Sequence, residues 1–137
     1  MSQANPSTLV LIPAFNERKN IARVVRAIRS LGYETLVVDD GSTDGSPEIL
    51  KDLDTHFLLS AANRGKGATL RLGFEWFLQR PYDFLVLVDA DGQHAPDEIA
   101  LFLEKLKKGA HMVVGDRLQK CQAIQFGHRK IEDNHVG

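Results

Sequence analysis

The sequence predicts an α/β fold: a mostly parallel sheet covered by helices on both faces, in the order βαβαβαβαβ. Two observations lead to it. Short, almost continuously apolar runs alternate with stretches whose apolar residues recur at helical spacing. The runs lack the strict polar–apolar alternation of a half-exposed strand, as expected of parallel strands buried on both sides. A third observation concerns function. Acids and glycines collect directly after the runs, at the strand carboxyl ends where ligands bind in such sheets.

The elements follow in order. Thr8 to Ala14 is a β-rich run that ends around Pro13. Ile21, Val24, Val25, Ile28 and Leu31 then mark a helix that Gly32 stops. Glu34 to Asp40 holds a Leu-Val-Val centre and closes on two acids. Ser46-Pro47 reads as an N-cap and first helical residue, opening a short helix to about Leu53. His56 to Leu59 is a third strand, and Gly67 to about Gln79 a helix with Leu70, Phe74 and Phe77 on one face. Phe84 to Val88 is the most apolar strand. Pro96, Asp97 and Glu98 suit a first helical turn, where negative charge meets the positive end of the dipole. Ile99, Phe102, Leu103 and Leu106 give that helix its stripe, and His111 to Val114 is a fifth strand.

A chain of 137 residues suits one domain. Residues 1–117 form the expected core, and residues 118–137, poor in apolar residues and without period, an irregular or mobile tail. With 17 basic and 18 acidic residues there is no basic field to hold nucleic acid. The single cysteine, Cys121, rules out an internal disulfide and points to a reducing, cytoplasmic setting. No apolar run approaches the roughly 20 residues of a membrane-spanning helix, so any membrane role is expected to be peripheral.

Four strand ends carry polar clusters: Pro13-Ala14-Phe15-Asn16-Glu17, Asp39-Asp40-Gly41-Ser42, Asp89-Ala90-Asp91-Gly92-Gln93 and Gly115-Asp116-Arg117. All four can line one crevice. Asp89 and Asp91 are two apart, so in extended chain their side chains leave on the same side. Two crowded carboxylates repel unless a cation neutralises them. A hard divalent ion, Mg²⁺ or Mn²⁺, suits such oxygens and keeps positions open for phosphate, with Gln93 as a neutral accessory. Asp39 and Asp40 are adjacent, point apart and so do different jobs. Asn63-Arg64-Gly65-Lys66-Gly67, just before a helix, offers amides and two cations to phosphate; a plain glycine-rich turn with solvated cations fits those residues too. His56, His111, His128 and His135 show no ligand spacing.

Together and in this order, these motifs resemble the family 2 inverting glycosyltransferases, most closely the dolichyl- or polyprenyl-phosphate mannose and glucose synthase branch. The matching stretches run from Val10-Leu11-Ile12-Pro13-Ala14-Phe15-Asn16-Glu17 through Val37-Val38-Asp39-Asp40-Gly41-Ser42-Thr43-Asp44-Gly45 and Asn63-Arg64-Gly65-Lys66-Gly67 to Asp89-Ala90-Asp91-Gly92-Gln93-His94 and Gly115-Asp116-Arg117. The resemblance implies a GT-A fold with a nucleotide-diphosphate sugar in the crevice. Pro13, Phe15, Glu17, Asp40 and Asp39 match nucleoside-contacting positions. Lys66, Gly67 and Ala90 fall in donor-side motifs, Asp89, Asp91 and Gln93 match the metal motif, and Arg117 matches a cation near the donor phosphates. Asp91 and Arg117 are the residues expected to act in catalysis. Family members continue for many tens of residues past this point, with an acceptor region that the chain lacks. Glu132-Asp133 comes too soon after Arg117 to match their later acidic motif.

The expected activity is metal-dependent, inverting sugar transfer to an acceptor such as a polyprenyl phosphate at a membrane surface. Arg117, Lys120, Arg129 and Lys130 are cations that could meet such a phosphate or an anionic membrane, or simply be solvated. The alternative is a nucleotide-sugar-binding module without turnover, and a second copy completing the site is a further arrangement the sequence allows. A GT-A-like nucleotidyltransferase would want a Gly-rich, Arg-containing loop after the first strand. A phospho-receiver would want its acid pair there. Pro13-Ala14-Phe15-Asn16-Glu17 is neither.

Overall fold

In a computed structural model, residues 7–91, 98–107, 112–114 and 121–125 are described. The first strand, β1 (Thr8–Ala14), is buried along almost its whole length because it sits at the middle of the sheet with helices on both faces. It pairs in parallel with β2 (Glu34–Asp39) on one side and β4 (Phe84–Val88) on the other. β3 (His56–Leu59) extends the parallel set beyond β2. Beyond β4 come β6 (Cys121–Gln125) and then β5 (Met112–Val114), giving the order β3-β2-β1-β4-β6-β5 among the described residues.

The alternation of side chains along each strand divides the core in two. Val10, Ile12 and Ala14 of β1 and Phe84, Val86 and Val88 of β4 face one way. They meet Ile21, Val24, Val25 and Ile28 of α1 (Ile21–Ser30), Leu50 of α2 (Ser46–Lys51), and Ile99 and Leu103 of α4 (Glu98–Lys107). Leu9, Leu11, Leu36, Val38, Leu85 and Leu87 face the other way, onto Phe77 of α3 (Lys66–Leu78). Each fully buried Val, Leu, Ile or Phe among them stabilises the fold by about 1.5–3 kcal/mol, so both layers contribute. Gly73 lets α3 lie close to the sheet: a Cβ there would come within 2.5 Å of Leu11 Cδ1.

The path of the chain creates the crevice. From β1 it steps through α1 to β2, then returns from β3 through α3 to β4 on the far side of β1. Crossovers of one hand that step in opposite directions must put their helices on opposite faces, as α1 and α3 are. The direction of the crossovers thus reverses between β1 and β4, and the crevice at the carboxyl ends of these strands is the switch point where open α/β sheets bind ligands.

The structure departs from the sequence reading in two places. Cys121–Gln125, within the stretch expected to be irregular, is a strand antiparallel to both β4 and β5. It lies on the flank of β4, between β4 and β5 in the sheet. β4 offers backbone donors and acceptors along that flank, and pairing there outweighs the weak β signal of Cys-Gln-Ala-Ile-Gln. β5 still runs in the direction of β4, so its carboxyl end lies at the same sheet edge. Secondly, the N-cap of α2 is Gly45, at φ 93°, not Ser46. Ser46 instead gives its amide and hydroxyl to Asp44 Oδ1, at 3.0 and 2.6 Å.

Candidate functional site

A cavity of about 360 Å³ opens at the carboxyl ends of β1, β2 and β4, beside the start of α3. Pro13, Ala14, Phe15 and Glu17 form the wall that leaves β1. Asp40, Asn63, Gly65, Lys66 and Thr69 form the α3 side, and Asp89, Ala90 and Asp91 the β4 side. Phe15 is 45% exposed, a large apolar ring kept at the surface of the cavity. Such a ring offers a stacking face for a planar group.

The two acids after β2 point apart and have separate partners. Asp39 is buried, and its carboxylate accepts from the Ser42 amide at 2.8 Å and the Ser42 hydroxyl at 2.6 Å. The same hydroxyl oxygen accepts from the Asn16 amide at 2.7 Å, and Asn16 Oδ1 accepts from the Thr43 amide at 2.9 Å. Asn16 has φ 54°, a left-handed conformation that Asn tolerates better than most residues. Asp44 Oδ2 accepts from the Arg18 amide at 3.0 Å. Asp39 therefore acts through Ser42 on the loop that presents Phe15 and Glu17. Burial pushes the Asp44 carboxyl up, but hydrogen bonds from Ser46 and the Arg18 amide outweigh it and hold the group below its ordinary range.

Asp40 faces the other layer. Its oxygens accept from the Arg64 and Gly65 amides at 2.8 and 2.9 Å, and its carbonyl accepts from Asn63 Nδ2 at 3.3 Å. A carboxylate before a helix N-terminus suits both the unpaired amides and the dipole. Gly41 makes the close approach possible, since a Cβ there would lie 2.6 Å from the Ala62 carbonyl carbon and the Asn63 nitrogen. Lys66, the first residue of α3, places Nζ 3.2 Å from Asp89 Oδ1.

Four carboxylates (Glu17, Asp40, Asp89 and Asp91) and one ammonium (Lys66) line the cavity among the described residues. Neutral amides can satisfy the hydrogen-bonding capacity of Asp40, but they do not cancel its charge. Among the described residues the lining therefore carries an excess of negative charge.

The model of the family described as "Glycosyl transferase family 2" matches residues 9–135. The chain belongs to glycosyltransferase family 2. It is 38% identical over 118 residues to the polyprenol monophosphomannose synthase of Mycolicibacterium smegmatis, covering 80% of this chain and 44% of that protein. It is 35% identical over 116 residues to the undecaprenyl-phosphate mannosyltransferase of Micrococcus luteus, covering 80% of this chain and 47% of that protein. The chain thus spans less than half the length of these relatives. Among solved structures, S. aureus TarS 1-349 superposes with TM-score 0.66 at 17% identity, over 95% of this chain and 49% of that one. The fold is the Rossmann-like GT-A fold.

Against that family pattern, the structure gathers Pro13, Phe15, Glu17 and Asp40 with Lys66, Asp89, Ala90 and Asp91 around one cavity. Asp39 and Gly67 are not among its lining residues, and Asp39 is committed to Ser42. Gln93 and Arg117 lie outside the described residues, as do His94, His111, Lys120, His128, Arg129, Lys130, Glu132, Asp133 and His135. The Asn63–Gly67 segment differs from a phosphate cradle in one respect: two of its amides are spent on Asp40. Sequence reasoning missed Asn16, Ser42 and Asp44 as the residues that lace the two loops together, and Thr69 as part of the wall. The signal was present in Asp39-x-x-Ser42 and Asp44-x-Ser46, where short acids close turns onto nearby amides.

Proposed function

We propose that this chain forms the donor half of a metal-dependent, inverting glycosyltransferase that moves a sugar from a nucleotide-diphosphate sugar to a polyprenyl phosphate. One observation carries the reading: a cavity at the switch point of a family 2 fold holds an exposed aromatic ring at one side and the Asp89/Asp91 pair at the other. Phe15 is proposed to stack on the base, and Glu17, on the same wall, to accept from a ribose hydroxyl. An anionic diphosphate would not enter a cavity with this excess of carboxylates unless a cation came with it.

The donor set fits Mg²⁺ or Mn²⁺. Among the described residues no group of three or more His, Cys, Asp or Glu converges on a point. Mg²⁺ is commonly held by one or two carboxylates, with water and substrate phosphate in the other positions. Asp89 and Asp91, with Gln93 as accessory, are the proposed ligands. When bound, the metal supplies positive charge to the diphosphate as it leaves. Arg117 is proposed to add to that stabilisation.

A phosphate acceptor reduces the need for a general base. A phosphate monoester has its second pKa near about 6, so at pH 7 it already carries a nucleophilic oxyanion. That oxygen forms a bond to the anomeric carbon from the face opposite the diphosphate. The bond from the carbon to the diphosphate oxygen breaks, the nucleoside diphosphate departs with the electron pair, and the configuration inverts. The relatives named above are a polyprenol monophosphomannose synthase and an undecaprenyl-phosphate mannosyltransferase, which supports a polyprenyl phosphate as acceptor. No helix among the described residues is long and apolar enough to cross a membrane. We place the reaction at the cytoplasmic membrane face, where donor and lipid phosphate meet.

The test has two parts. Calorimetry with GDP or UDP and Mn²⁺ is expected to show metal-dependent binding that Asp91→Ala abolishes; unchanged affinity in that variant refutes the site. Incubation with GDP-mannose or UDP-glucose, Mn²⁺ and a polyprenyl phosphate is expected to yield the glycosyl phospholipid. Metal-dependent binding without transfer would identify a donor-binding module instead.

A further inference from the structure

The Lys66–Asp89 pair sits where the proposed metal would sit. Lys66 Nζ is 3.2 Å from Asp89 Oδ1, with 64% of the Lys66 side chain and 31% of the Asp89 side chain exposed. An ion pair this open adds little to stability, so it can break at small cost. A divalent ion on Asp89 would lie within a few ångströms of the ammonium, and like charges at that range repel, though solvent screens a pair this open. The metal and the ammonium therefore compete for Asp89. The ammonium has somewhere to go, because Lys carries its charge on a flexible four-carbon stem. The Arg64 and Gly65 amides cannot serve phosphate in its place, since both are bonded to Asp40.

We propose that Lys66 is the resident counter-cation of Asp89 in the metal-free crevice, and that metal and Lys66 exchange places on loading. The metal takes the Asp89 carboxylate, and the displaced ammonium turns to an oxygen of the diphosphate that arrives with the metal. Lys66 then makes metal and diphosphate binding cooperative: it opposes the metal alone and rewards the pair. This rests on the donor-site reading above.

Lys66→Met tests it with binding measurements that need no turnover. Free Mn²⁺ is followed by electron paramagnetic resonance without nucleotide, and GDP and UDP binding by calorimetry at saturating Mn²⁺. Loss of the competing ammonium is expected to tighten Mn²⁺ binding roughly two- to fivefold, the range of an exposed ion pair. Loss of the charged donor to phosphate is expected to weaken nucleotide binding by about tenfold or more. Lys66→Arg, which keeps the charge, is expected to stay near wild type in the Mn²⁺ titration. Weaker nucleotide binding with unchanged or weaker Mn²⁺ binding would make Lys66 a plain phosphate ligand and overturn the exchange. No change in either would reduce the pair to a surface contact and overturn it too. A wild-type chain that binds neither Mn²⁺ nor nucleotide sinks the donor-site reading itself, whereas normal wild-type binding with an inert Lys66→Met sinks only the exchange. Unchanged thermal unfolding of the variant shows that a binding change is local.

Discussion

Replacing Gly41 by alanine asks whether the two acids after β2 depend on the backbone contact beneath them. Gly41 has φ 80°, a region where a side chain costs about 1–2 kcal/mol. A Cβ there would also sit 2.6 Å from Ala62 C and Asn63 N and 3.0 Å from Ala62 Cα. These are backbone atoms, so no rotamer change relieves the clash, and overpacking of this kind costs about 1–3 kcal/mol. The sum, about 2–5 kcal/mol, is a large part of a typical domain stability of about 5–15 kcal/mol. Gly45→Ala is the control for conformation alone: φ is 93°, but the nearest atom would be Arg18 Nη1 at an ordinary 3.5 Å. That variant should lose only about 1–2 kcal/mol. Gly67→Ala, in the first turn of α3 with nothing within 4 Å, should be neutral or gain up to about 1 kcal/mol. Urea unfolding followed by fluorescence of Trp76, the one tryptophan, reads all three. With a urea slope of about 2 kcal/mol per molar, Gly41→Ala should move the midpoint down by about 1–2.5 M. If Gly41→Ala and Gly45→Ala lose the same stability, the close approach of Gly41 to Ala62 and Asn63 is not a constraint and the reasoning fails.

Two further predictions concern the lacing between the loops after β1 and β2. Ser42→Ala removes the hydroxyl that donates to Asp39 and accepts from the Asn16 amide, leaving a buried carboxylate short of a donor. A loss of about 1–3 kcal/mol is expected in urea unfolding, together with weaker nucleotide binding because Phe15 and Glu17 lose their support. Asp44 titrates below its ordinary value in the folded chain, against about 3.9 unfolded. Its contribution is therefore present above pH about 4 and lost as pH falls through the depressed folded value. Asp44→Asn should be less stable than wild type at pH 7, with the gap narrowing as the pH is lowered below about 4; a gap that stays constant with pH would show that the carboxylate charge is not involved.

Much of the fold was legible because parallel strands buried on both faces leave continuous apolar runs. β1 and β4 have the bounds that Thr8–Ala14 and Phe84–Val88 predict. β6 was not legible. Cys-Gln-Ala-Ile-Gln has too few apolar residues to show a period, and its place depends on an open flank of β4 that local sequence does not reveal. The cavity was legible for a topological reason: once the βα order is known, the strand ends share an edge, and Asp40, Asp89 and Asp91 must come together. The opposite roles of Asp39 and Asp40 also follow from the two-residue period of a strand. Their partners do not, because Arg64 and Gly65 lie more than twenty positions from Asp40.

The acids at this edge are held by donors of different kinds, and the difference accounts for their roles. Asp39 meets a hydroxyl and an amide of the next turn, so its charge serves to fix a loop. Asp40 meets two amides at the start of α3, so it joins that helix to β2 and holds Lys66 at the rim. Replacing either acid by an amide would keep its shape but weaken hydrogen bonds that gain from a charged acceptor. Among the described residues Asp89 meets a lysine ammonium on a flexible stem and not a backbone donor. Backbone amides cannot leave without unravelling the loop, whereas a lysine head can. An exchangeable cation suits Asp89 better than Asp39 or Asp40. This is the argument for proposing the metal at the Asp89–Asp91 pair and not at the earlier, more deeply buried acid pair.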